Sequence, residues 1–277
     1  MRRGAKSFLH KPWEDAVLIE VVQCELSFGA ASRQRDARHS REQEDARLIQ
    51  QALLPAAMPQ ITNCDIAARW QPASGIGGDC YDLIRFSDTR FAISIADVVG
   101  KGLPAALLMS NLQAAVRAFA TDGATTNGVT ASVNRLLSRN ISVGKFVTFC
   151  YAVVDAAAGV IDYANAGHNP PFLLRADGSI ETLSGTGVVL GVFPDGLYEH
   201  RTVPFLPGDR LICYTDGITE ASDPLGEEFG DERLIATVRR CAGSACASDI
   251  VAAVTATVAD WTQGAVQDDA TLIVVTR

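Results

Sequence analysis

Asp79 and Asp97 bracket a hydrophobic hairpin, and Asp216, Asp268 and Asp269 stand at the ends of two further apolar runs. In the hairpin, residues 83–86 and 91–95 are strand-like and flank the turn formers Ser87-Asp88-Thr89. A turn centred on Asp88 sets Leu83 opposite Ile93, Tyr81 opposite Ile95 and Asp79 opposite Asp97. Strand side chains alternate, so Asp79, Tyr81 and Leu83 share a face with Phe91, Ile93, Ile95 and Asp97. That face is apolar except for two facing carboxylates. Like charges opposed across a sheet are destabilising, and burying them unpaired costs more, so the pair calls for a cation. The run 210–217 repeats the pattern, an apolar strand ending in Asp216 before a turn glycine, and Asp268-Asp269 opens the run 270–275. One aspartate at a strand end is ordinary turn chemistry. Four such places, with no Arg or Lys adjacent, can be gathered at one end of antiparallel sheets. Oxygen donors of this kind suit Mg²⁺ or Mn²⁺ better than zinc.

The rest of the compact region must position these ends. Residues 65–70 read as a strand ahead of the hairpin. Residues 102–120 read as a buried helix with Pro104 in its first turn, and 126–140 as a second, with Val129, Val133, Leu136 and Leu137 on one stripe. Strand-like runs follow at 146–154, 159–164, 172–175, 179–183, 198–204 and 209–215. Helical runs at 231–241 and 248–261 precede a last strand, 270–276. Antiparallel-type strands with two separate helix pairs indicate α+β, two sheets packed together with helices on the outer faces.

Residues 1–30 form an N-terminal segment with helical spacing at Ala16, Leu18, Ile19, Val22 and Leu26. Phe8 to Trp13, with Lys11-Pro12, resembles the close of a response-regulator receiver domain. The segment is a remnant of a receiver, which would make an upstream receiver or sensor a partner, or simply a helix. Residues 31–58 are dense in charge, gain apolar residues at Ile49, Leu53 and Leu54, and end at Pro55 and Pro59. They read as a helical linker, either packing in a homodimer or serving as a tether. The compact domain is expected over 59–277.

Composition narrows the class. A hydrophobic fraction of 48% and a charged fraction of 20% describe an ordinary globular protein. No apolar run approaches the ~20 residues of a membrane helix, and no signal peptide is evident. Seven scattered cysteines, with no zinc-like pairing around Cys241 and Cys246, indicate reduced thiols in a cytosolic protein. The net charge of -8 argues against nucleic acid or an anionic membrane as partner. Gly100-Lys101-Gly102 lacks the further glycine and hydroxyl residue of a P-loop, and Gly75-Ile76-Gly77 lacks the last glycine of a dinucleotide fingerprint.

Five motifs occur in an order that resembles the bacterial SpoIIE/RsbU-type phosphatases of the PPM (PP2C-like) family. They are Gly77-Gly78-Asp79-Cys80-Tyr81-Asp82, Asp97-Val98-Val99-Gly100-Lys101-Gly102, Asn165-Ala166-Gly167-His168-Asn169-Pro170, Tyr214-Thr215-Asp216-Gly217 and Asp268-Asp269-Ala270-Thr271. Residues 50–55, Gln-Gln-Ala-Leu-Leu-Pro, are similar to the helix before that family's core. The resemblance implies a four-layer α/β/β/α sandwich and two divalent cations, Mn²⁺ or Mg²⁺. It implies Asp79, Asp97, Asp216 and Asp268 as metal-binding and catalytic aspartates acting through metal-activated water, with the Val98 carbonyl as a further ligand. Asp269 is the alternative to its neighbour Asp268. Lys101 could meet substrate phosphate or be a solvated lysine. His168 could be a general acid or a turn and packing residue. The implied substrate is a phosphoserine or phosphothreonine protein, an anti-sigma-factor antagonist of STAS type. Cys80, Val99 and Ala270 depart from the usual residues without removing a ligand. Two other readings stay open, a non-catalytic binding and dimerisation module with this fold and a hydrolase of small phosphoesters.

Overall fold

The structure, a computed structural model, describes residues 15–142, 144–241 and 246–277. The receiver-like stretch around Lys11 lies outside them. The chain divides into two units, Met1–Leu48 and Ile49–Arg277. A single helix, α1 (Asp15–Leu53), joins the two segments that the sequence had suggested dividing at residue 30. Its polar stretch carries i,i+4 and i,i+3 ion pairs, Arg38–Glu42 and Arg47–Glu44, the usual support for an exposed helix face. No described helix is long and apolar enough to cross a membrane.

The second unit follows the expected order. β1 (Asp65–Gln71) precedes the hairpin β2 (Cys80–Arg85) and β3 (Arg90–Val98). The helices α2 (Leu103–Phe119) and α3 (Thr126–Asn140) come next, then β4 (Val147–Asp155), β5 (Val160–Ala166), β6 (Phe172–Leu174), β7 (Ile180–Thr182), β8 (Arg201–Pro204) and β9 (Arg210–Tyr214). A one-turn helix α4 (Asp216–Thr219), which the sequence did not suggest, leads to α5 (Gly230–Arg240), α6 (Ala247–Trp261) and β10 (Ala270–Thr276). One sheet has the order β1-β10-β9-β6-β7, the other β2-β3-β4-β5-β8, and all neighbouring strands run antiparallel. α2 and α3 pack on the second sheet, while α6 packs on β1 and β10 and against α5. This is the four-layer sandwich expected.

The two cores follow from strand alternation. Between the sheets and under α2 and α3 lie Phe91, Ile93, Phe149 and Tyr151; under α5 and α6 lie Phe172, Ile212, Leu234 and Ile250. β10 is buried on both faces, with Leu272 and Val274 toward the helices and Ile273 and Val275 between the sheets. A strand covered on both sides reads as an unbroken apolar run, as Leu272 to Val275 does. Each fully buried Ile, Val or Phe contributes roughly 1.5–3 kcal/mol. The hairpin register is the one read from its turn: Leu83 pairs with Ile93, Tyr81 with Ile95 and Cys80 with Ala96, which leaves Asp79 facing Asp97.

Candidate metal centre

Asp79 joins the two sheets at their open end. It immediately precedes β2 in one sheet, and its Oδ2 accepts hydrogen bonds from Thr271 Oγ1 (2.6 Å) on β10 and Thr215 Oγ1 (2.7 Å) after β9 in the other. Those threonines are themselves linked, the Thr271 amide donating to Thr215 Oγ1 at 2.9 Å. Asp79 is 1% exposed, yet its Oδ1 has no hydrogen-bond partner. Burial pushes its carboxyl well above the ordinary range. The Thr271 and Thr215 hydroxyls pull it back, while the charges of Asp97 and Asp269 push it further up.

Asp97, near the end of β3, is raised to about 7 by burial and then by the like charges of Asp216, Asp268 and Asp269. Asp216 opens α4 and is raised by burial and by Asp268. The structure therefore brings Asp79, Asp97, Asp216 and Asp268 into one electrostatic neighbourhood. Against them stands the exposed Lys101, whose Nζ lies 3.0 Å from Asp268 Oδ2 and donates to the Gln267 carbonyl at 2.9 Å.

Asp269 is placed differently from its neighbour. It is buried, and its two oxygens accept the amides of Ala73 (2.7 Å) and Gly78 (2.5 Å). It therefore holds the loop that delivers Asp79, while Asp268 faces Lys101. A Cβ at Gly77 would collide with the Asp269 carboxylate, and one at Gly78 would stand 2.8 Å from the Val98 carbonyl. Only glycine lets the loop pass this close to both groups. The loop has two further ties. Gln50, in the last turns of α1, donates to the Gly77 carbonyl at 2.6 Å and accepts the Gly77 amide at 3.0 Å. Trp70 Nε1 donates to the Asp79 carbonyl at 3.2 Å.

His168 lies inside the protein. Its amide donates to Asn165 Oδ1 (2.8 Å), Asn165 Nδ2 donates to its carbonyl (3.1 Å), and its Nδ1 meets Thr148 Oγ1 at 2.9 Å. Its Nε2 is buried without a hydrogen-bond partner among the described residues. Burial lowers its pKa to about 4, so the ring is neutral at pH 7. This position buttresses Thr148, which pairs with Asp97 across β3 and β4.

Sequence reasoning missed Gln50, Thr215 and Thr271 at the site, and the bidentate pair of buried Asp82 with Arg117 (2.6 and 2.7 Å) behind the hairpin. The threonines carried a weak signal, since hydroxyl residues beside the strand-end aspartates can only point at neighbouring acceptors once buried. Gln50 was visible only as the first residue of the run 50–55 that resembles the helix before the family's core, with nothing to tie it to Gly77, and Arg117 carried no signal.

The donors fit a hard divalent cation. Asp79 presents a buried, unpartnered oxygen, the neighbouring carboxylates carry like charge that Lys101 offsets only in part, and the available donors are oxygens. Among the described residues no three such side chains already surround one point as a finished metal cage would.

The family model for Stage II sporulation protein E (SpoIIE) matches residues 87–277. Protein IcfG of Synechocystis is 30% identical over 275 residues, covering 89% of this chain and 43% of its own length. Phosphoserine phosphatase RsbU of Bacillus subtilis is 32% identical over 210 residues, covering 73% of this chain and 62% of its own. The chain thus spans less than two thirds of either relative. Among solved structures, the SiaA-PP2C domain of Pseudomonas aeruginosa superposes with a TM-score of 0.77 at 22% identity, covering 87% of this chain and 98% of that one. The RsbU and RsbW domains of a Mycobacterium tuberculosis protein give 0.67 at 28% identity over 79% of this chain and 62% of theirs.

Proposed function

The chain belongs to the SpoIIE family of PP2C-like phosphatases, and from that premise we propose that it hydrolyses phosphoserine or phosphothreonine on a protein, using two divalent cations, Mn²⁺ or Mg²⁺. The observation that carries this reading is the buried, unpartnered Oδ1 of Asp79 facing Asp97 at the open end of the sandwich. Asp79, Asp97, Asp216 and Asp268, with the Val98 carbonyl, are the groups that would hold the ions. Bound there, such ions supply Lewis acidity toward phosphoryl oxygens and lower the pKa of water to near neutrality.

The chain's own part is positioning. Asp269, Gln50 and Trp70 hold the loop before Asp79, and Lys101 supplies a cation beside Asp268 that can turn to a substrate phosphate. A cysteine nucleophile finds no support here: the Cys80 thiol is buried, and burial followed by the charges of Asp82 and Asp79 pushes its pKa far up. The buried neutral His168 acts in this reading through Thr148 rather than on substrate.

The kinship with RsbU supports a phosphoserine protein as substrate, and we take it to be an anti-sigma-factor antagonist of STAS type. A homodimer through α1 is part of the same proposal, since Ile19, Val22 and Leu26 are exposed at spacings that share a helix face. The deciding assay measures release of p-nitrophenol from p-nitrophenyl phosphate, and of phosphate from a phosphoserine STAS protein, with Mn²⁺ and with EDTA. Turnover that needs Mn²⁺ and disappears in Asp79→Asn is expected. Turnover that survives both EDTA and that substitution would sink the metal mechanism. No turnover on either substrate, together with no Mn²⁺ uptake by calorimetry, would leave a binding module, and turnover confined to p-nitrophenyl phosphate a small-phosphoester hydrolase.

A further inference from the structure

A cavity of about 350 Å³ opens beside the carboxylate cluster, sharing Asp268 and Gly217 with it as a wall. Its floor is apolar, built by Ile218, Ala221, Val258 and Leu272. Its walls are tied together. Gln267 accepts from the Ser222 amide at 3.1 Å and donates to the Ser222 carbonyl at 3.3 Å. A cavity with fixed walls and an apolar floor keeps its shape in water and gains by filling.

The rim is electrostatically uneven. Glu220, Glu228 and Asp268 border the cavity, and burial together with the charges of Asp216, Glu228 and Asp268 holds Glu220 above its ordinary range. Arg69 is not among the groups acting on Glu220. It projects from β1, an edge strand of its sheet, is exposed, and has no ion-pair or hydrogen-bond partner among the described residues. An unpaired guanidinium beside an apolar hollow matches a carboxylate that follows an apolar group.

We propose that this cavity is a recognition subsite for the phosphoprotein, taking an apolar side chain close in sequence to the phosphorylated residue while a neighbouring acidic side chain meets Arg69. The proposal rests on the phosphatase reading above and deepens it. Polypeptide is the favoured occupant because the cavity shares its wall with the carboxylate cluster. A chain whose phosphorylated residue reaches that cluster advances ~3.3 Å per extended residue, so its next few residues lie within reach of the hollow.

The test uses the full chain with Mn²⁺ and synthetic phosphoserine peptides in an alanine background, with leucine and glutamate placed in turn at each position within about four residues of the phosphoserine. The readout is kcat/KM for each peptide divided by that for p-nitrophenyl phosphate, which carries no chain and reports the metal centre alone. One leucine position should exceed its alanine control by about tenfold, the discrimination a hydrophobic pocket provides, and an adjacent glutamate should add to it. Ala259→Phe, at an exposed α6 residue lining the cavity, should erase the leucine preference. Arg69→Glu should replace the glutamate preference by one for lysine. Equal ratios for all peptides, or preferences that neither substitution moves, would overturn the subsite while leaving the phosphatase standing. Absence of Mn²⁺-dependent turnover of p-nitrophenyl phosphate and of every phosphoserine peptide would overturn the phosphatase reading, and the subsite with it.

Discussion

At the scale of single residues, the opposed carboxylates make the open end of the sandwich costly to fold. Burial, then the charges of Asp216, Asp268 and Asp269, raises Asp97 from 3.8 to about 7. Between those values the native state holds more protons than the unfolded one, so this group's contribution to stability is lost as pH rises through the window. Asp97→Asn should therefore stabilise the metal-free protein at pH 7.5 by about 1–2 kcal/mol after allowance for partial exposure, while lowering Mn²⁺-dependent turnover roughly 100-fold. Calorimetric melting in EDTA checks the first part; an unchanged midpoint would show that the cluster is not repulsive. His168 has the opposite sign. Its folded pKa of about 4 lies below the ordinary 6.5, so the unfolded chain binds the extra proton and stability is lost as pH falls from 6.5 toward 4. The stability advantage of the native protein over His168→Gln should shrink by ~2 kcal/mol between pH 7.5 and pH 5 in urea titrations. A constant difference would mean that the imidazole titrates alike in both states.

At the scale of elements, the site depends on a loop rather than on the strands it joins. Residues 72–79 are tied to Asp269 on one side and to Gln50 of α1 on the other. Gln50→Ala would leave both the amide and the carbonyl of Gly77 without their partners in a buried place, at a cost of about 2–3 kcal/mol. It should speed amide exchange at Gly77 and Gly78 and weaken Mn²⁺ binding about tenfold, a change of ~1.4 kcal/mol; exchange rates equal to those of the parent would remove Gln50 from the device. The same elements show what could be read in advance. The Asp79–Asp97 confrontation was legible because turn chemistry and a period of two are local, and together they fix register without knowledge of the rest of the fold. The Gln50–Gly77 clamp and the Asp82–Arg117 pair, 27 and 35 residues apart in sequence, follow no period, and a glutamine or arginine on a helix looks like any solvated side chain until the fold is known. Asp269 shows the intermediate case: its position beside Asp268 was visible, but its use as an acceptor for two loop amides depended on where that loop came to lie.

At the scale of the whole molecule, the boundary between linker and domain tests how the helix ahead of the core is used. Pro55 and Pro59 mark the end of α1, and the sequence therefore suggested a domain beginning at residue 59. The end of a helix is not the edge of a core. Gln50 and Leu54 are buried, the Leu53 carbonyl accepts a hydrogen bond from Gln113 Nε2 at 3.0 Å, and the second compact unit begins at Ile49. The last turns of the helix thus belong energetically to the second compact unit. A chain beginning at Ile49 should melt within about 2 °C of the full chain, because it keeps the contacts of that unit. One beginning at residue 59 loses the Gln50 clamp, the burial of Leu54 and the bond to Gln113, together roughly 5 kcal/mol. For a domain of this size that corresponds to a fall of about 10–20 °C. Thermal melts of the two shortened chains beside the parent decide the matter. If the chain from residue 59 melts with the parent, α1 is only a tether and the clamp on the Asp79 loop contributes little. If the chain from Ile49 already falls, the core extends further back along the helix than its buried side chains indicate.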